Sequence, residues 1–312
     1  MAGDPGSPGK PPACDLCGGD AVFLDRVRGC HLCEDHFKSD VEGRFRSTIW
    51  NYRLIRPGER IAVALSGGKD STVLLHLLRK IIPRGGDITL TAITVDEGIS
   101  GYREATMEVA RAMAESLGVE HRIVSFGEIS GSTLDALVRT GGDHPCSICG
   151  IHRRKALHAA AEGLGATAIA TGHNLNDEAQ TVVMNCLRGD LPGFTRSPVR
   201  CSAPSPRFAS RISVREPAGG GIRRIKPLFR IPEKEVALYA ILTGLFRDLP
   251  ECPYAGTALR SEVRRLVDRL ENLRPGTLGR IVRGQEEVAS IWREIRKEAL
   301  SPAGGPGSDR EN

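Results

Sequence analysis

Four strings hold the residues whose types and spacing can do chemistry. Ser66, Gly67, Gly68, Lys69, Asp70 and Ser71 lie between a buried-strand pattern and a helical one. Two glycines let the backbone approach a ligand, a helix start offers unpaired N–H groups and a positive dipole end, and Lys69, Ser66 and Ser71 add charge and hydroxyls. That is a cradle for phosphate, although the G-x-x-x-x-G-K-[ST] spacing of a Walker loop is absent. The second string, TGHNLNDEAQTVVMNCLRG from Thr171 to Gly189, follows a strand pattern and opens a helix. Read alone it is a capped helix start, with Asn174 or Asn176 as cap and Asp177 and Glu178 favoured by the dipole.

The other two strings carry thiols. Cys14-x-x-Cys17, Cys30 and Cys33-x-x-His36 offer five ligands where a structural zinc takes four. Spacing favours Cys14/Cys17 with Cys30/Cys33. A site filled wholly by protein ligands is structural rather than catalytic. Cys146 and Cys149, in HPCSICGIHRR, have no second C-x-x-C behind them. A redox pair, a two-cysteine half site and a cluster completed from elsewhere all fit, with Cys186, Cys201 and Cys252 as candidates for the missing ligand.

The elements around these strings alternate. IAVAL (Ile61 to Leu65) is a short apolar run, STVLLHLLRKI is helical, and ITLTAITV (Ile88 to Val95) is rich in β-branched residues. A helix (Tyr102 to Leu117), a strand (His121 to Val124), a helix after Cys149, the strand TAIAT (Thr167 to Thr171) and a strand near Ile222 to Pro227 continue the rhythm. This predicts an α/β fold, a parallel sheet covered by helices. Ligands of such sheets gather at the carboxyl ends of the strands, which adds Val95 and Asp96 as the adenosine edge. Pro192 to Gly221 reads as a long surface loop, and two helices, Leu259 to Leu273 and Glu286 to Leu300, close the chain. The division expected is 1–13 disordered, 14–45 a metal module, 46–245 the α/β domain, 246–300 helical and 301–312 disordered.

Composition sets the class. With 312 residues, 40% of them hydrophobic, and 36 glycines, the chain can bury a core and is not wholly disordered. No run reaches the length of a membrane span, and MAGDPGSPGKPPA has neither a secretory nor a transit pattern, which predicts the cytoplasm and no membrane. There, nine cysteines point to metal or redox chemistry before disulfides. The net charge is +5, but residues 196–234 carry ten Lys and Arg against Glu216 and Glu233, a local 10 − 2 = +8. With only Phe208 and Phe229 for stacking, that stretch suits the phosphates of an RNA rather than its bases.

SGGKDS after an apolar strand resembles the PP-loop of the N-type ATP pyrophosphatases, and TGHNLNDEAQ resembles the second nucleotide motif of PP-loop enzymes acting on tRNA. LCEDHF resembles the C-x-x-H half of the amino-terminal zinc finger in tRNA 2-thiolation enzymes of the TtuA type, and PCSICG-x-x-RR with a distant ECPYA resembles the three-cysteine 4Fe–4S site of the TtuA and TtcA thiolases. The resemblance implies a Rossmann-like PP-loop domain that binds ATP and Mg²⁺ through Ala64, Ser66, Gly67, Gly68, Lys69, Asp70, Ser71, Val95, Gly172 and Asp177. It implies zinc on Cys14, Cys17, Cys33 and His36, with Cys30 as the alternate, and a cluster on Cys146, Cys149 and Cys252. Lys69, Arg153, Asp177, Cys146 and Cys149 would be catalytic, Asp177 as acid/base or Mg²⁺ ligand, and Arg153 and Arg154 would hold ATP phosphates or cluster charge.

The implied reaction is adenylation of C2 of a uridine in tRNA, at the T-loop or wobble position, and replacement of its oxygen by sulfur. An open iron, or a persulfide on Cys146 or Cys149, would deliver the sulfur, supplied by a small thiocarboxylated ubiquitin-like carrier; a homodimer is compatible with this. Thiolation of cytidine, a non-thiolating PP-loop tRNA ligase and a zinc-stapled binding module without catalysis are the rivals. One departure stands out. TtuA-like enzymes carry a second, carboxy-terminal zinc finger, and no cysteine follows Cys252.

Overall fold

The computed structural model describes residues 12–140, 145–195, 221–255 and 259–300. An antiparallel hairpin, β1 (Phe23–Asp25) and β2 (Cys30–Leu32), leads into helix α1 (Glu34–Asn51). Phe37, Val41 and Phe45 recur at helical spacing on α1, are fully buried and join the main core. At roughly 1.5–3 kcal/mol for each large apolar side chain buried, this stripe fastens the thiol-rich hairpin to the rest of the fold.

The centre is a five-stranded parallel sheet of β3 (Arg60–Ala64), β4 (Thr89–Asp96), β5 (Glu120–Ser125), β6 (Ala168–Ala170) and β7 (Arg223–Ile225), in the order β5-β4-β3-β6-β7. Both faces are covered, and side-chain alternation along β3 shows it. Ile61 and Val63 enter one core with Leu74, Leu75 and Leu78 of α2 (Lys69–Ile81), whereas Ala62 enters the other with Ile93, Phe126 and Leu157. α3 (Arg103–Ser116) connects β4 to β5, and α4 (Phe126–Ser130), α5 (Leu134–Arg139) and α6 (Pro145–Gly163) lie between β5 and β6. After β6 come α7 (Leu175–Leu187) and the short α8 (Leu191–Phe194). The helix Glu233–Leu242 packs Val236, Tyr239 and Ala240 into the main core. The tail helices Leu259–Leu273 and Thr277–Leu300 form a third core with α7, through Val263, Val267, Leu278 and Val282 against Leu175, Ala179 and Met184. No described helix is long and apolar enough to cross a membrane.

Four expectations change. The helix expected after Cys149 begins at Pro145, so Cys146 and Cys149 are three residues apart on one helical face, with Arg153 a turn further along it. Proline is suited to the first turn of a helix, which is why it starts the element here. The last helix begins at Thr277, just past Pro275 and Gly276, rather than at Glu286. Ala13 bridges Asp20, so pairing starts before Cys14, while residues 1–11 of the expected lead-in, the final segment 301–312 and the basic loop 196–220 fall outside the described residues. Of the basic stretch that is described, Arg223 pairs with Glu59, Lys226 with Glu178 at 2.5 Å, and Arg230 with Glu286. Those three cations are spent on the fold, and Lys234 donates to Asn272 at 3.2 Å.

Candidate active site

Strand order reverses between β3 and β6, the position at which open parallel sheets form a ligand crevice beyond their carboxyl ends. Both nucleotide strings emerge there. After Leu65 the chain turns at Gly67, whose φ of +86° excludes most side chains and whose missing Cβ would stand 2.0 Å from the Thr106 carbonyl oxygen. Gly68 caps α2. The Gly68 carbonyl accepts from the Ser71 and Thr72 N–H groups at 3.1 Å each and from the Ser71 hydroxyl at 2.8 Å. The Ser66 N–H and hydroxyl both meet Ser71 Oγ at 3.1 Å. The loop is therefore held in shape by its own hydroxyls.

Gly172 follows β6 and lies against the loop itself: a Cβ there would be 3.0 Å from the Asp70 carbonyl and 3.1 Å from the Ser71 nitrogen. Asn174 caps α7, accepting from the Asp177 N–H at 3.2 Å while Asp177 accepts from the Asn174 N–H at 3.1 Å. The Asn174 side-chain amide donates to Asp70 at 3.1 Å and ties the two strings together. Burial raises the Asp177 carboxyl above the usual range, opposed by the Asn174 N–H and by Arg260 at 3.3 Å, and reinforced by the negative charges of Asp70 and Glu233. Lys69 reaches Glu233 at 2.8 Å and Asp70 at 3.1 Å, and Arg264 reaches Glu233 at 2.9 Å. His173 contacts Thr171 Oγ1 at 2.9 Å. Burial first, then Lys226, Arg260, Arg224 and Arg153, hold it far below its ordinary 6.5, so it is neutral near pH 7.

Ala64 ends β3 half-buried against the second core, and the Val95 carbonyl at the end of β4 accepts from Arg103. Beside them a cleft of about 220 Å³ is lined by Asp96, Gly98, Ile99, Ser100, Arg103, Glu104 and Met107.

The finger ligands converge. The ligand atoms of Cys14, Cys17, Cys33 and His36 lie within 4.8 Å of one another, the spacing one tetrahedral ion needs, while Cys30 stays in β2 opposite Asp25. Spacing alone had favoured Cys30, but strand pairing takes it out of reach. Burial pushes the Cys14 thiol up, yet backbone N–H groups of Cys33, Leu16 and Cys17 bring it down to about 6, favouring the thiolate a metal binds.

Cys146, Cys149 and Cys252 meet more loosely. Cys146 Sγ contacts the Tyr254 carbonyl at 3.3 Å, and Cys252 packs on the core containing Cys149. Among the described residues only the finger quartet gathers its ligand atoms within 4.8 Å. Burial raises the Cys149 thiol, Arg153 lowers it, and Glu97, Cys252 and Cys146 raise it further. Arg153 donates to Cys149 Sγ at 3.2 Å and pairs with Glu97 at 2.7 Å, so it faces the thiols rather than the phosphate loop. Cys186 is exposed on α7. Cys201 lies outside the described residues.

Comparison with known proteins places this geometry. A PP-loop domain family matches residues 37–245. The chain belongs to the PP-loop family. Within it, the chain is 40% identical over 297 residues to the tRNA 2-thiolation protein NcsA of Haloferax volcanii, covering 91% of this chain and 89% of that one. It is 35% identical to the cytoplasmic tRNA 2-thiolation protein 1 of Aspergillus niger, over 93% and 82% of the two chains. Among solved structures it is similar to a U34-tRNA thiolase NcsA from Methanococcus maripaludis with its [4Fe-4S] cluster, at 35% identity and a TM-score of 0.74, covering 89% and 87%. The chain thus groups with the tRNA 2-thiolation proteins of that family. None of these relatives is named for the T-loop position.

Five charged residues of the site went unread in the sequence: Glu97, Arg103, Glu233, Arg260 and Arg264. Glu97 directly follows the end of a strand and was findable on that ground. The other four reach the site from helices, and only tertiary packing reveals them.

Proposed function

We propose that this PP-loop enzyme thiolates C2 of the wobble uridine of tRNA, with ATP activating the oxygen that sulfur replaces. One observation carries the reading. A preshaped phosphate loop and three thiols share the carboxyl end of one sheet, with Arg153 on Cys149 at 3.2 Å. The likeness to a wobble-uridine thiolase that holds a [4Fe-4S] cluster supports it.

In this account the loop N–H groups, Lys69 and the Ser66 hydroxyl hold the ATP phosphates, and Asp177 holds Mg²⁺. The uridine O2 attacks the α-phosphorus and pyrophosphate leaves. Sulfur then adds at C2, and AMP leaves with the original oxygen. Cys146, Cys149 and Cys252 would hold a 4Fe–4S cluster, which supplies an iron free of protein ligands for carrying sulfur. Arg153 keeps positive charge beside Cys149. Zinc on Cys14, Cys17, Cys33 and His36 is structural. The sulfur arrives on a small thiocarboxylated ubiquitin-like protein in the cytoplasm, and the basic residues of 196–215 attract the tRNA backbone.

Anaerobic purification tests the cluster. The chain should carry iron and sulfide and absorb broadly in the visible, and Cys252→Ala should abolish both. A colourless chain that thiolates tRNA without iron contradicts the reading.

A further inference from the structure

We propose that Glu97 is a positioning residue shared by the phosphate loop and the three-thiol site, an inference that rests on the reading of those thiols given above. Glu97 follows β4 and is 3% exposed. Its two oxygens face two guanidinium groups, Arg103 Nε at 2.6 Å and Arg153 Nε at 2.7 Å. The Arg103 contact is a close ion pair rather than an aligned hydrogen bond, so charge and not direction holds it.

Each arginine carries the link onward. Arg103, itself 4% exposed, reaches the Ser66 carbonyl at 3.4 Å and the Thr106 hydroxyl at 2.8 Å. The Thr106 carbonyl is the surface to which Gly67 is fitted. Arg153 donates to Cys149 Sγ at 3.2 Å. A continuous line therefore runs from the phosphate loop through Arg103, Glu97 and Arg153 to one of the thiols, with the carboxylate at its centre.

The physics makes Glu97 the deciding member. One buried carboxylate balances two guanidinium groups, and neither can approach the other without it. With a neutral amide in its place, Arg103 stays trapped at the loop without its counter-charge, while Arg153 keeps its bond to Cys149. The loop would lose the alignment of its Ser66 end, and the thiols would lose a nearby negative charge.

The test compares Glu97→Gln and Arg153→Met with the unsubstituted chain, using Glu108→Gln, an exposed acid on the helix that carries Arg103, as the control. Two quantities are read: the affinity of the cluster-free chain for a non-hydrolysable ATP analogue, and the reduction potential of the reconstituted cluster. Glu97→Gln should weaken nucleotide binding about tenfold, equivalent to about 1.4 kcal/mol. It should also raise the potential, because a negative charge beside the cluster is gone. Arg153→Met should lower the potential and change nucleotide affinity less than about twofold, since Glu97 keeps Arg103. A folded Glu97→Gln chain in which either quantity matches the unsubstituted one overturns the inference. Should Glu97→Gln not fold, an unaltered potential in Arg153→Met overturns it. An unsubstituted chain that takes up no cluster overturns the reading of the thiols and this inference together, whereas a loaded chain whose potential ignores both substitutions overturns the inference alone.

Discussion

Lys69 Nζ lies 2.8 Å from Glu233 Oε1, so the cation of the phosphate loop is already matched by a carboxylate 164 residues further along the chain. Asp70 adds a second carboxylate at 3.1 Å, and Arg264 balances Glu233 from the tail helix. A nucleotide phosphate therefore competes with Glu233 for Lys69. Glu233→Gln should tighten ATP binding about fivefold, in line with about 1 kcal/mol for a partly exposed ion pair. Equilibrium dialysis without divalent cation measures it, and weaker binding would show that Glu233 assists the nucleotide instead.

The two loop glycines should behave oppositely. Alanine at Gly67 must place its Cβ inside the Thr106 carbonyl at positive φ, which costs about 1–3 kcal/mol in backbone strain alone. Alanine at Gly68 meets nothing nearer than the Ser66 hydroxyl at 3.6 Å. Thermal unfolding should drop by several degrees for Gly67→Ala, with nucleotide binding lost, and stay within about two degrees for Gly68→Ala. Equal effects would mean that the fit to Thr106 does not shape the loop.

For the finger, elemental analysis should find one zinc per chain, lost in Cys33→Ser and in His36→Ala and retained in Cys30→Ser. The convergence of Cys14, Cys17, Cys33 and His36 requires this pattern. Loss of zinc on Cys30→Ser would return Cys30 to the ligand set.

Acid should destabilise the fold through His173. Its folded-state pKa lies far below the ordinary 6.5, so the unfolded chain takes up the proton first. The stability this neutral imidazole contributes is present above about pH 6.5 and is lost as pH falls below it. Urea unfolding at pH 7.5 and 5.5 should show a smaller acid loss for His173→Gln than for the unsubstituted chain. An identical loss in both would mean that His173 is not held neutral.

Much of the fold was legible because β3, β4 and β6 are buried on both faces and read as short apolar runs punctuated by glycine. Strand ends also showed where the two nucleotide strings would meet. The start of α6 was misplaced because a C-x-x-C pair reads as a loop motif, whereas Pro145 opens a helix that carries it. The hairpin around Cys30 is too short for a two-residue period to register, so spacing alone admitted Cys30 as a ligand. The basic stretch looked uniform by composition, yet Arg223, Lys226 and Arg230 meet acids distant in sequence, which no local pattern records.

The most direct test of the account is mass spectrometry of tRNA nucleosides, resolved to the wobble position, from cells lacking this gene and from the same cells carrying the gene or its Cys252→Ala form. The account predicts that the 2-thiouridine derivative at that position disappears without the gene, returns with the unsubstituted chain and stays absent with Cys252→Ala. An unchanged wobble thionucleoside in the deleted cells, or its full return with Cys252→Ala, would contradict it.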